Sequence, residues 1–391
     1  MRVLCTCLPE RGHFHPMVPL ARALVEAGHD VAFASAQQFR EHIEQAGFAS
    51  FPAGLTLPEQ LESARRRFPH NYALPAGRDR FERFVPRMLG GVAAPARLDG
   101  LVEAVKEWKA DLVVAGEADF AAPLAAAVAD LPWATQSVGP LRPLGMARLT
   151  RRFLAPLCRQ WDVALDDFAG LFRYLYLDLC PPSLQTAEVA QINHRYPLRP
   201  DPFDAMPGET LPAWASDLGD RPVVYVTLGT VFNETAVLRA VVEGLCAEPV
   251  EVVATVGADG DVDALGPQPD NVHIAHYVPQ SLLLPACDVM VSHGGSSMLG
   301  ALRCGVPLLA LPQGANQFHN ADAGTAAGVA RQLRGAAVSC ERVRTEVRPL
   351  LHEGAYRRRA QEVAQEIAAM PAPAEVVALL EQLAEERAAV P

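Results

Sequence analysis

The sequence contains no run approaching the ~20 consecutive apolar residues that a membrane-spanning helix needs, and no charged-then-apolar segment at its amino terminus. Strand-like residues begin at Arg2, so a cytoplasmic protein is expected. The eight cysteines, Cys5, Cys7, Cys158, Cys180, Cys246, Cys287, Cys304 and Cys340, form no Cys-x-x-Cys pair. That argues against a zinc site or a disulfide frame and for reduced, mostly buried thiols. Acidic residues outnumber basic ones, 45 to 34, for a net charge of −11, and no basic stripe marks a nucleic-acid-binding surface. The first strand is not followed by Gly-x-Gly-x-x-Gly, so no tight glycine turn awaits a dinucleotide pyrophosphate. No Asp-x-Asp metal clasp accompanies a motif: residues 201–204 read Asp-Pro-Phe-Asp, and Asp261 and Asp263 lie in a remote turn.

What is present is length and alternation. A chain of 391 residues, half of them hydrophobic, buries a large core and suggests about two domains. Arg2 to Leu8 reads as a strand, Pro9 to Phe14 as a loop, Pro16 to Ala27 as a helix stopped by a left-handed Gly28, and His29 to Ser35 as the next strand. That is one βαβ unit of the usual length. From Pro52 to Pro95 the pattern is irregular and arginine-rich; Leu101 to Lys109 is helical, and Asp111 to Ala115 and Leu131 to Ser137 are strands. Leu141 to Leu179 carries helix-like apolar spacing, its aromatics read mostly as core. The proline-rich stretch from Pro197 to Pro212 reads as a linker. Beyond it strands are expected at Val223 to Thr227, Glu251 to Val256, Val272 to Ala275, Val289 to Ser292, Leu308 to Leu311 and Ala330 to Leu333, with helices between them and three more at the end. The alternation predicts an α/β protein of two doubly wound, Rossmann-like domains, residues 1–198 and 213–371, joined by 199–212 and followed by a terminal helix in 372–391.

The most informative stretch runs from Val289 to Pro312. A short apolar strand ends at Ser292, turns through His293, Gly294 and Gly295, and enters a helix opening at Ser296. Two glycines allow close backbone approach to a ligand, and the free N–H groups of a helix start, beside the Ser296 and Ser297 hydroxyls, suit phosphate oxygens. On its own, such a turn is more often only a βα connection. Here it has companions: Val223 to Thr230 ending on Gly-Thr, His276-Tyr-Val-Pro-Gln280, and Pro312 to Asn320 at the end of the next strand.

These stretches, with Gly12-His-Phe-His-Pro16 in the other half, resemble the inverting glycosyltransferases of GT-B fold that decorate natural products. The resemblance implies two domains facing across a cleft, with the terminal helix returning to the first. It assigns His13 as the general base that deprotonates an acceptor hydroxyl, with His15 two residues on as the alternative. The acidic residue that orients such a histidine in relatives falls on Gly116 in this chain, which leaves Glu117 as first choice and Asp119 as second. Either of them can instead cap the helix near Ala121. The donor site implied comprises Thr230, Val278, Gln280, His293, Gly294, Gly295, Ser296, Ser297, Asn316 and Gln317. The glycine turn is one residue shorter than usual, so which serine meets a phosphate stays open.

The co-substrate implied is a thymidine or uridine diphosphate sugar, with no metal and no cofactor. Asn316 replaces the common Asp and Gly300 replaces a ribose-binding Glu, which favours a deoxy or amino sugar on thymidine diphosphate. The acceptor implied is an apolar polyketide- or macrolide-like small molecule, for which Phe68, Tyr72, Phe81 and Phe84 can supply an aromatic lining. Partners are thus the nucleotide sugar and this acceptor, with no nucleic acid and no membrane, and with a homodimer left open. Two rivals share the fold: a silent homologue that stabilises an active glycosyltransferase, and a sugar-nucleotide epimerase.

Overall fold

A computed structural model of the chain describes residues 1–204, 209–216, 218–229, 234–257 and 260–390. The chain divides into two compact units, one of Met1–Cys180, Gln185–Asp201 and Met370–Pro391, the other of Pro181–Leu184 and Pro202–Ala369.

The first unit is built on a seven-stranded sheet: β1 (Arg2–Thr6), β2 (Asp30–Ser35), β3 (Ala49–Pro52), β4 (Leu112–Gly116), β5 (Trp133–Gln136), β6 (Leu175–Asp178) and β7 (Arg195–Pro197), in the order β3-β2-β1-β4-β5-β6-β7. Every pairing is parallel. The central strands are Val- and Ala-rich and buried along their length, as strands covered on both faces by helices must be. The second unit repeats the plan with β8 (Val223–Thr227), β9 (Glu251–Thr255), β10 (Val272–Ala275), β11 (Val289–Ser292), β12 (Leu308–Ala310) and β13 (Ala330–Gln332), ordered β10-β9-β8-β11-β12-β13 and again parallel. In both sheets the strand order reverses direction once, between β1 and β4 and between β8 and β11. At such a reversal the connections leave to opposite faces, and the space beyond the strands' carboxyl ends is open for a ligand.

The expected alternation is therefore observed, including Gly28 in the left-handed region at φ 88°. One segment departs from it. The helical pattern read over Leu141 to Leu179 is a helix only at Leu144–Gln160; Leu175–Asp178 is the buried strand β6. The arginine-rich insertion is helical at Leu57–Arg67 and Arg78–Met88, the former opened by a reciprocal cap between Thr56 and Glu59. The terminal Pro373–Glu386 helix packs on the Val18–Glu26 helix, with His29 Nε2 2.9 Å from Glu381 Oε1.

Candidate active site

Residues of the first unit converge where β1 and β4 part. β1 leads into a single helical turn, Arg11–Phe14, anchored by Phe14, which is buried edge-on against Phe33 and Phe39. This turn carries His13. Gln136 at the end of β5 donates to the Pro16 carbonyl at 2.7 Å and fastens the segment behind it. The His13 Nδ1 atom is buried without a hydrogen-bond partner among the described residues, and Nε2 lies 3.9 Å from Glu10 Oε2. Burial, reinforced by the Arg142 charge, lowers the imidazole from 6.5 to about 3, so the ring is neutral and able to accept a proton. His15 is likewise lowered to about 4, by burial and then by Arg11 and His42.

The structure does not bring Glu117 to His13. The Glu117 carboxylate, 5% exposed, accepts from Arg142 Nη2 at 2.9 Å and Nε at 3.2 Å, and from the Tyr176 hydroxyl at 3.3 Å. Desolvation raises its pKa even so, with Arg142 and Tyr176 opposing. Asp119 is held elsewhere too: Arg97 grips it through Nη2 at 2.7 Å and Nε at 3.2 Å, Thr6 donates to it, and its Oδ1 accepts from the Ala121 N–H at 3.3 Å. The physical reason is the same for both acids: a buried carboxylate takes the nearest guanidinium, Asp119 through both oxygens and Glu117 through Oε1 alone.

Beside this ion pair lies a small, partly open pocket of about 30 Å3, walled by Pro86, Leu89, Phe120, Leu141, Met146, Leu171 and Phe172, with Glu117 and Arg142 as its charged groups. The lining is apolar apart from the pair and Thr150. The aromatic side chains expected to line an acceptor pocket do not line this cavity. Phe81 and Phe84 are buried core residues, Phe68 packs edge-on against Phe153 and Tyr72 against Phe84. The Arg78–Met88 helix turns that face inward, and presents Pro86 to the cavity instead.

In the second unit β11 delivers His293 at its carboxyl end, and the chain reverses through Gly294, at φ 80°, into the Ser297–Arg303 helix. The Ser292 hydroxyl accepts from Gly294 N–H at 3.2 Å, and Asn320 donates to the Gly294 carbonyl at 2.8 Å, so the turn is pinned from two sides. The His293 ring lies between two backbones. A Cβ on Gly229, which follows β8, would meet its Cε1 at 2.7 Å, and one on Gly295 would meet its Nε2 at 2.5 Å. Burial lowers this imidazole to about 4, with the Thr227 backbone pulling the other way, so it is neutral at rest and acts as a hydrogen-bonding group.

Buried polar atoms without partners among the described residues include His293 Nδ1, the Ser297 hydroxyl and the Gln313 carboxamide. Ser296 makes no side-chain cap bond and is half-buried. Of the other residues expected at a donor, Gln317 Oε1 accepts from the Gln313 and Gly314 N–H groups at 2.8 and 2.9 Å and shapes its own loop. Asn316, beside it, is half-buried. Val278 is buried, Gln280 opens the Gln280–Leu283 helix, and Thr230 lies outside the described residues. Gln313 and Asn320 were not singled out from the sequence; only the motif's polar loop hinted at them. Among the described residues no group of three or more His, Cys, Asp or Glu is arranged to hold a metal ion, and no single helix is long and apolar enough to cross a membrane.

Comparison with known proteins accounts for both units. Residues 22–229 match the family profile described as erythromycin biosynthesis protein CIII-like, N-terminal domain, and residues 239–383 match its C-terminal domain. The chain is 31% identical to the L-demethylnoviosyl transferase of Streptomyces niveus, over the full length of both. Among solved structures it is similar to the glycosyltransferase VinC in complex with DTDP, at TM-score 0.78 and 26% identity over 99% of this chain and 100% of that one. It is also similar to the spinosyn rhamnosyltransferase SpnG complexed with spinosyn aglycone, at TM-score 0.81 and 27% identity over 97% and 100% of the two chains.

Proposed function

Because the chain belongs to the erythromycin biosynthesis protein CIII-like family of glycosyltransferases, with the GT-B fold, we propose that it moves a sugar from thymidine diphosphate to a hydroxyl of an apolar natural-product aglycone, inverting the anomeric carbon. One observation carries this reading. At the carboxyl-terminal strand reversal of each sheet sits a neutral imidazole whose Nδ1 is buried and has no hydrogen-bond partner among the described residues, one in the unit that holds the apolar pocket and one at a glycine-lined helix start.

The first is the base and the second serves the leaving group. His13 takes the acceptor's hydroxyl proton as that oxygen attacks the anomeric carbon; the bond from this carbon to the diphosphate oxygen breaks, and its electron pair leaves with the diphosphate. The growing charge there is met by the N–H groups after Gly294, the Ser297 hydroxyl and His293, fixed donors that need no reorganisation and no metal. A single displacement with no protein nucleophile inverts the centre. The relative bound to DTDP supports thymidine diphosphate as carrier, and Gly300, which offers no carboxylate to a ribose hydroxyl, agrees with a deoxyribose. The relative bound to its aglycone supports an apolar acceptor, and the cavity lining agrees. An enzyme fed by nucleotide sugars would work in the cytoplasm.

The test is a thermal-shift and turnover pair. Thymidine diphosphate should raise the melting temperature more than uridine diphosphate, since a ligand at a hundred times its dissociation constant adds about 2.7 kcal/mol. An α-linked thymidine diphosphate sugar should give a β-linked product. His13→Ala should abolish transfer and keep the nucleotide shift; a retained configuration, or full activity without His13, would overturn the reading.

A further inference from the structure

Two arginines of the first unit are paired with buried acids, and the fold uses them differently. Arg97 engages all three of its nitrogens internally: Nε and Nη2 hold Asp119, Nη2 also reaches Thr6 and the Ala34 carbonyl, and Nη1 donates to the Ala53 carbonyl. Its side chain is 1% exposed, and no nitrogen is left over. Arg142, 14% exposed, gives both Nε and Nη2 to a single oxygen, Glu117 Oε1, at 3.2 and 2.9 Å. Its Nη1 makes no hydrogen bond among the described residues and is not shut away from solvent. A guanidinium carries five donors in a fixed fork, so one whose far edge is unused presents N–H groups in a set direction.

We infer that Arg142 selects the acceptor, donating from Nη1 to a neutral carbonyl oxygen, of a ketone or a lactone, that enters the pocket lined by Pro86, Leu89, Met146 and Phe172. This rests on the reading that the first unit binds the acceptor. At about 30 Å3 the pocket has room for one small group rather than a whole aglycone, since a water alone needs roughly 10–15 Å3 of such space. Apart from Arg142 and Glu117 its polar residue is Thr150, whose hydroxyl already donates to the Met146 carbonyl at 2.9 Å. The guanidinium is therefore the donor on offer.

Charge decides between a carbonyl and an anion. Glu117 already neutralises Arg142, and a second anion would have to share that one cation in an apolar wall, where like charges repel strongly. A carbonyl brings only a dipole and fills the unused edge of the fork. The guanidinium is also held ready for it. Tyr176 donates to Glu117 Oε2 at 3.3 Å, and the segment bearing Arg142 is pinned by Gln185 and Glu188, which accept from the Leu141 and Leu144 N–H groups at 2.9 and 2.7 Å. A donor fixed beforehand loses little freedom when the ligand arrives. Stability alone does not call for the pair, because apolar residues of similar volume often serve a buried site as well.

The test uses apolar alcohols that differ at one position: a set of aromatic and macrocyclic hydroxyketones, each beside the analogue with a methylene in place of the carbonyl. Binding to the unmodified protein is read by calorimetry without donor. At least one ketone should bind roughly 10- to 100-fold more tightly than its partner, the scale of a hydrogen bond to a charged group. The infrared stretch of its carbon-13-labelled carbonyl should move to lower frequency on binding. In the double variant Arg142→Met with Glu117→Gln, which leaves no buried charge alone, both the preference and the frequency shift should vanish, while the thermal shift by thymidine diphosphate stays. Equal affinity of every ketone and its partner, binding of no ketone, tighter binding of a carboxylate analogue, or a preference that survives in the variant would each overturn the role of Arg142. Transfer is measured separately. A carbonyl preference that depends on Arg142, in a protein that glycosylates none of the set, would keep that role and remove the glycosyltransferase reading; turnover without any carbonyl preference would do the reverse.

Discussion

Gly295 packs so closely on His293 that a methyl group there would fall 2.5 Å from the ring's Nε2. The ring is rigid and has Gly229 on its other side, so Gly295→Ala must move the imidazole out of place. Overpacking of this size costs about 1–3 kcal/mol, and a donor-site histidine displaced by it should weaken thymidine diphosphate binding roughly 10- to 100-fold by calorimetry. Gly145→Ala, in the first unit, is the control: its Cβ would meet nothing within 4 Å, and the variant should bind nucleotide as the parent does.

Arg97 and Asp119 are buried almost completely, and Arg97 also donates to the carbonyls of Ala53 and Ala34, at 3.0 and 3.3 Å. This one side chain ties the Ala94–Trp108 helix to the ends of β2, β3 and β4. Arg97→Met should destabilise the first unit by about 3–5 kcal/mol, because Asp119 is left charged and alone. Adding Asp119→Asn should recover part of that loss. Urea unfolding of the single and double variants measures the coupling, and equal losses in both would show that the pair itself is not what matters.

How far the sequence was legible follows from how local each signal is. The order of strands from β8 to β13 was readable because Val- and Leu-rich runs end on turn residues at each step. β6 was not. Phe168, Phe172 and Tyr176 stand four apart, a helical spacing, yet they meet edge-on at 5.5 and 4.9 Å because the chain turns back on itself before entering the strand. The turns that carry His13 and Gly294 were visible because each is set by a few consecutive residues. The acid partners were hidden, since Glu117 is claimed by an arginine 25 residues away and Asp119 by one 22 residues away.

Stability should fall in acid, and the sign follows from which state holds more protons. His13, at about 3, and His15 and His293, each at about 4, lie below 6.5 in the folded chain, so the unfolded chain binds more protons in that interval. Their contribution is present above pH 6.5 and is lost as pH falls toward 4 and then 3. Glu10, raised from 4.5 to about 7, works against this: its contribution is present below 4.5 and is lost as pH rises through 7. Three groups outweigh one. Each of these half-buried imidazoles costs up to about 1.4 kcal/mol per pH unit across its interval. Urea midpoints should therefore drop from pH 7 to pH 5, and His293→Asn should flatten that drop.

Arg142 serves two neighbours at once, which makes its removal informative. It neutralises Glu117 at 2.9 Å, and its charge helps to hold the His13 imidazole low. Arg142→Met leaves the cavity apolar and takes away the cation. Without it the His13 pKa should rise, because one of the two forces opposing the imidazolium is gone, and the acid limb of kcat/KM should move to higher pH. Glu117, left without its guanidinium, should take up a proton and stay neutral in the cavity wall, since desolvation already pushes it upward. Breaking a buried pair costs about 3–5 kcal/mol, so the profile is best read in the double variant Arg142→Met with Glu117→Gln, which removes both charges together. If the acid limb in that variant stays where it was, Arg142 does not act on the base; if it moves upward, the cavity's ion pair and the His13 imidazole form one electrostatic unit.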